Sequence, residues 1–88
     1  MEKNAMPDAE RLMRLGRLRE LEAELPELDA HVRNDMEAIR RHMVGYRTPA
    51  DIFMDGIRAA VKDLEEHHAA YLRADKEAAA LREQLGVS

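Results

Sequence analysis

In the first half of the chain, Leu18, Leu21, Leu25, Leu28, Val32 and Ile39 fall at alternating steps of three and four residues. This spacing is the heptad seam of a helix packed against a neighbour in coiled-coil fashion. Continued at the same steps, it lands on Asp35 and His42, polar residues where the pattern asks for apolar ones. A second seam is predicted at Met54, Ile57, Val61, Leu64, His68, Tyr71, Asp75, Ala78 and Leu85, again with polar interruptions. The elements that follow are two long helices joined by a short turn.

Local signals set the boundaries. Pro7 followed by Asp8 and Glu10 reads as a helix start, with acids facing the positive end of the helix dipole. Gly45 suits a left-handed C-terminal cap, Thr48 an N-cap, Pro49 the first helical position and Asp51 the third. Helix one is therefore predicted over about residues 7–44, the turn over 45–48 and helix two over about 49–85, within one domain spanning 1–88. Pro26 lacks a donor N–H and clashes with the preceding turn, so the first arm is expected to be kinked or broken there. Residues 1–6 and the last two or three are expected to fray.

The fold class is thus all-α, an antiparallel helical hairpin. Two helices offer each other one narrow stripe, whereas Met36, Met43, Ile52, Phe53 and Leu72 widen the apolar surface beyond it. Self-association into a four-helix bundle is the expected cover, as a homodimer or higher oligomer. Length strengthens this expectation. A chain of 88 residues buries little of its surface, and without cysteine it cannot be stapled by disulfides, so metal or a partner chain is left to help.

Composition narrows the function classes. Charged residues make up 36% of the chain but are interspersed to a net charge of -4, which offers no basic face to nucleic acid. No apolar run reaches the length of about 20 residues that spans a bilayer, and Met1 to Met6 lacks the apolar stretch of a secretion signal. A soluble, cytoplasmic protein is the expectation. No Gly-rich phosphate loop or Ser-centred nucleophile elbow is present.

Candidate chemistry lies where ionisable groups meet the seams. Glu65 and His68, three residues apart, share a helix face and can converge on one metal ion. His68 falls in the predicted helix-two seam, Asp35 in the helix-one seam, and Glu37 flanks it. Buried charge is usually neutralised, paired or metal-bound, so these positions read either as a metal site or as a polar layer that fixes register. With the turn centred near Arg47, Asp35 lies 12 residues before it and His68 lies 21 after, an axial mismatch of about 13 Å. A site using both is therefore expected between subunits rather than within one chain.

Glu37-Ala38-Ile39, and 28 positions further on Glu65-Glu66-His67-His68-Ala69-Ala70, resemble the encapsulated ferritins over roughly residues 34–72. The resemblance implies a hairpin with an iron-oxidising site formed only between subunits. Asp35, Glu65 and His68 would be its metal ligands, Glu37 a flanking carboxylate, iron its metal and encapsulin its storage shell. This chain departs from the family pattern at Asp35 in place of a glutamate, at Asn34 in place of a flanking carboxylate, and at Arg41 and His42 in place of an aromatic pair. Its C-terminal Leu85-Gly86-Val87-Ser88 is at most a fragment of the shell-targeting tail.

Two functions follow. The first is a non-enzymatic oligomerisation and protein-interaction module, with no cofactor, working through the apolar residues near the turn, Met36, Met43, Phe53 and Met54. It would serve as an adaptor, assembly factor or inhibitor of a larger complex. The second is an iron-binding ferroxidase with an inter-subunit di-iron site.

Overall fold

The computed structural model describes residues 6–87. Helix α1 runs Asp8–Val44, a single 3-10 turn follows at Pro49–Asp51, and helix α2 runs Met54–Leu85. The two helices pack along their length as an antiparallel hairpin about four times longer than wide, 71 × 18 × 17 Å. Among the described residues there is no strand, and no helix is long and apolar enough to cross a membrane.

Pro26 does not divide the first arm. Helix α1 continues through it, and the proline ring lies on the exposed face, where the missing N–H is opposite solvent and not the seam. The leucines on either side hold the helix against α2: Leu21 and Leu28 are buried and Leu25 partly so. Packing of an amphipathic face thus outweighs the intrinsic penalty of an interior proline, about 3 kcal/mol.

The connection also differs from expectation. Thr48, Pro49 and Asp51 do start a helix, with the Asp51 carboxylate accepting hydrogen bonds from the Thr48 and Arg47 backbone N–H groups. That helix lasts one 3-10 turn, and α2 begins only at Met54. Gly45 takes φ -101 and so is not a left-handed cap, whereas Gly86, which ends α2 at φ 69, is one. The Phe53 ring lies across Gly56 and meets the His42 ring edge-on at 5.8 Å. A Cβ at position 56 would fall 2.6 Å from that ring, so glycine permits the close approach. The expected fraying of residues 1–5 and 88 lies outside the described residues, while Met6 packs against the core.

Helix α1 presents the predicted seam. On α2 the seam is Ile57, Ala60, Leu64, His67, Tyr71, Ala74, Ala78, Leu81 and Leu85, each at least partly buried. Val61, His68 and Asp75, one residue further along at every second step, are exposed. The expected seam therefore had half of its α2 positions one residue out of phase.

The core is confined to the open end of the hairpin. Leu18, Leu21 and Leu28 pack with Ala74, Ala78, Leu81 and Leu85, flanked by Met6, Leu15, Leu25, Ala70 and Tyr71. Polar contacts reinforce the same end: Arg11 donates to the Leu85 carbonyl, Arg14 to Gln84, and Arg17 makes a two-pronged pair with Glu77. In the turn half, by contrast, only Ala60 is buried.

Candidate functional site

At the centre of the hairpin the apolar seam gives way to a polar layer. Asp35 projects from α1 with 14% of its side chain exposed, and its Oδ2 accepts a hydrogen bond of 2.5 Å from Nδ1 of His67 on α2. Their position follows from the heptads. Stepping outward by sevens from this pair gives Leu28 with Ala74 and then Leu21 with Leu81, so Asp35 and His67 occupy a core layer of the same kind. The nearby carboxylate raises the His67 pKa, chiefly through this hydrogen bond, against a smaller opposing effect of burial; Asp63 and Glu66 add to the rise. The His31 ring stacks on that of His67, centroids 4.8 Å apart and planes 15° from parallel.

This layer corrects the expected axial arrangement. Asp35 lies nine residues before the end of α1 at Val44, and His67 lies thirteen after the start of α2 at Met54. The difference of four residues is about 6 Å at helical rise, and the nine-residue connection absorbs it. The predicted turn centre near Arg47 was too early, because residues 49–53 do not belong to α2. A histidine does meet Asp35 within one chain, and it is His67, not His68.

The other expected metal residues are dispersed. Glu65 and His68 are exposed on the outer part of α2, with Glu65 beside Lys62, Ala69 and Arg73, and His68 in a shallow groove with Asp29, Val32, Tyr71 and Leu72. Glu37 is exposed and paired with Arg40, which holds its carboxyl below the usual range. Asp35, Glu37, Glu65 and His68 therefore do not converge within the chain. Among the described residues, no three His, Asp or Glu side chains as they lie are gathered to hold a metal ion.

Two rows flank the seam, one on each side. Arg17 and Glu77 meet on one side; Glu22 and Arg82 meet on the other. Two heptads inward from Glu22 and Arg82 lie Met36 and His68, and a third step reaches Met43 and Val61. The second side therefore changes from ionic at the open end to apolar near the turn. There Met36 and Met43 are each 57% exposed and Phe53 60%, with Met54, Val61 and Leu72 also exposed. These include all four residues expected to form an interaction surface. Comparison with family models, curated proteins and solved structures found no match for this chain.

Proposed function

We propose that this chain is a non-enzymatic helical self-association module whose turn half is completed by a second copy. The observation that carries this reading is the apolar surface of Met36, Met43, Phe53, Met54, Val61 and Leu72, lying over the half of the seam that contains almost no buried residue. Surface area supports it independently. A compact monomer of 10.1 kDa is expected to expose about 5,300 Å². The chain exposes 7024 Å². The excess is close to the total of about 1,600 Å² buried by a standard protein interface. Two hairpins packed by this face form a four-helix bundle in which each supplies the missing layer of the other.

Sedimentation or light scattering from 1 to 100 µM tests the reading. Wild type is expected at twice the chain mass of 10.1 kDa or above, and Met36→Glu/Met43→Glu at the monomer mass with helical content retained. A wild type that stays monomeric throughout ends the proposal.

The encapsulated-ferritin resemblance supplies a second reading, favoured by one position. His68 stands beside Met36 and Leu72 on the apolar side, so docking of a second copy there would carry Glu65 and His68 towards the new interface. Anaerobic titration with ferrous iron, then oxygen, is the test, on wild type and Glu65→Ala/His68→Ala. Absence of a defined iron stoichiometry and of any change in assembly removes this reading while leaving the first intact.

A further inference from the structure

The polar layer is more elaborate than register alone requires. His31 and Asp35 stand one turn apart on α1, and Asp63 and His67 one turn apart on α2. The heptads place the outer pair across from each other. Arg17 and Glu77 are in contact, His31 lies fourteen residues after Arg17, and Asp63 lies fourteen before Glu77, so His31 and Asp63 occupy the equivalent flanking positions two heptads inward. Asp63 is also close enough for its charge to act on His67.

The hydrogen bond within the layer has a consequence for ligand geometry. With Nδ1 of His67 committed to Asp35, Nε2 on the far side of the ring has no hydrogen-bond partner among the described residues. A carboxylate that holds one imidazole nitrogen so that the other can bind is the usual support of a metal-ligating histidine. Two imidazoles bound to one zinc ion at about 2.0–2.1 Å have ring centres about 5 Å apart. The rings of His31 and His67 are separated by 4.8 Å. Both His31 and Asp63 are exposed and free to turn, since neither is packed in the core.

We infer that His31, His67 and Asp63 form a single-chain binding site for a divalent transition metal of the zinc class, with Asp35 as the residue that orients His67. Two imidazoles and one carboxylate leave a fourth position for water, and this donor set suits borderline ions such as Zn²⁺ or Ni²⁺. His31 and Asp63 turn inward when the ion binds, closing the cluster that is open as the side chains now lie. The site differs from the iron set of Glu65 and His68, uses no second subunit, and does not rest on the self-association reading. Binding joins α1 to α2 at the level where the core gives out, and so clamps the turn half.

Zinc chloride titrated calorimetrically into the chelator-treated full chain, paired with thermal denaturation, tests the inference. One zinc per chain is expected, with a rise in Tm of more than about 10 °C at a hundredfold excess over Kd. His31→Ala and Asp63→Asn should each weaken binding at least tenfold. Asp35→Asn should weaken it about 10–100-fold while leaving one zinc per chain, as an orienting role requires. His68→Ala and His42→Ala should bind as wild type. His67→Ala should lose binding, and if it fails to fold, the exposed His31 decides. The inference is overturned if zinc does not bind saturably, if one ion is shared by two chains, if His31→Ala binds like wild type, or if His68→Ala is weakened as much as His31→Ala.

Discussion

Leu21→Ala and Ile39→Ala form a matched pair that tests where the hairpin is held together. Each substitution removes three carbons from a seam position of α1. Leu21 is 1% exposed within the leucine–alanine cluster, whereas Ile39 lies in the half where the seam is open. At about 0.8 kcal/mol per buried carbon, the transfer loss at Leu21 is about 2.4 kcal/mol, and a partly collapsed cavity brings it to about 3. At Ile39 only part of the transfer loss applies and no closed cavity forms, giving about 1.5 kcal/mol. An unfolding entropy of about 185 cal/mol/K for a chain of this length converts these into Tm decreases of about 16 °C and about 8 °C. The assay is circular dichroism at 222 nm during heating, at the lowest workable concentration and again at a hundredfold higher one. At low concentration the twofold ratio should hold. At high concentration the Ile39→Ala decrease should grow, because a second copy then buries that layer. Equal decreases at low concentration, or a larger one for Ile39→Ala, would refute the assignment of the core to the open end.

Pro26→Ala restores a backbone donor on an exposed helical face and should stabilise the chain by about 2 kcal/mol, seen as a Tm increase of about 10 °C. A decrease would mean that proline is needed for the path of α1. His67 should titrate above its ordinary pKa of 6.5, followed by NMR of the ring proton, and Asp35→Asn should return it towards that value. Because the folded-state pKa is the higher one, its stabilisation is fully present below about pH 6.5 and is lost as pH rises through the folded value. Wild type should therefore lose stability over that interval relative to Asp35→Asn; parallel pH profiles would contradict the coupling. Gly86→Ala places a side chain at φ 69 with no steric neighbour, so its cost is conformational, about 1 kcal/mol in chemical denaturation.

The sequence made α1 readable because its seam is built from large residues. Leucine, valine and isoleucine at three-four steps mark a buried stripe without ambiguity, and Asp35 and His42 were found by continuing it. On α2 the buried layers contain Ala60, Ala74 and Ala78, which carry little hydrophobic signal and let the helices approach closely. Both candidate phases offered a histidine, His67 or His68, and the larger Val61 drew the choice to the wrong one. Leu81 held the missing information: it lies in the observed phase, while the alternative places Arg82 in the core. The capping signature at Thr48 to Asp51 was correct as local chemistry, but no local rule said that its helix would stop after one turn. That three-residue error, compounded by the one-residue phase slip, moved the predicted partner of Asp35 from the same chain to another subunit. The stacking of His31 on His67 had no signal in the seam pattern, since His31 lies in a flanking row and becomes visible only when Arg17 and Glu77 fix which rows face each other.

The confinement of the tight core to the open end has a kinetic consequence. Leu21 and Leu81, in equivalent layers of opposite arms, are sixty residues apart in sequence, so the strongest contacts close the longest loop. Closure on that scale costs about 3–4 kcal/mol of chain entropy before any leucine packs. The local contacts beside the turn, which would ordinarily zip a helical hairpin from its bend, involve Phe53, His42 and Ala60 and bury little. Folding must therefore proceed through pre-formed helices that meet at their far ends, with the slower rate expected of a higher contact order than a helical hairpin usually has. Once closed, the molecule behaves as a rod locked at its tips and loose at its bend, and hydrogen exchange should begin at the turn and spread outward.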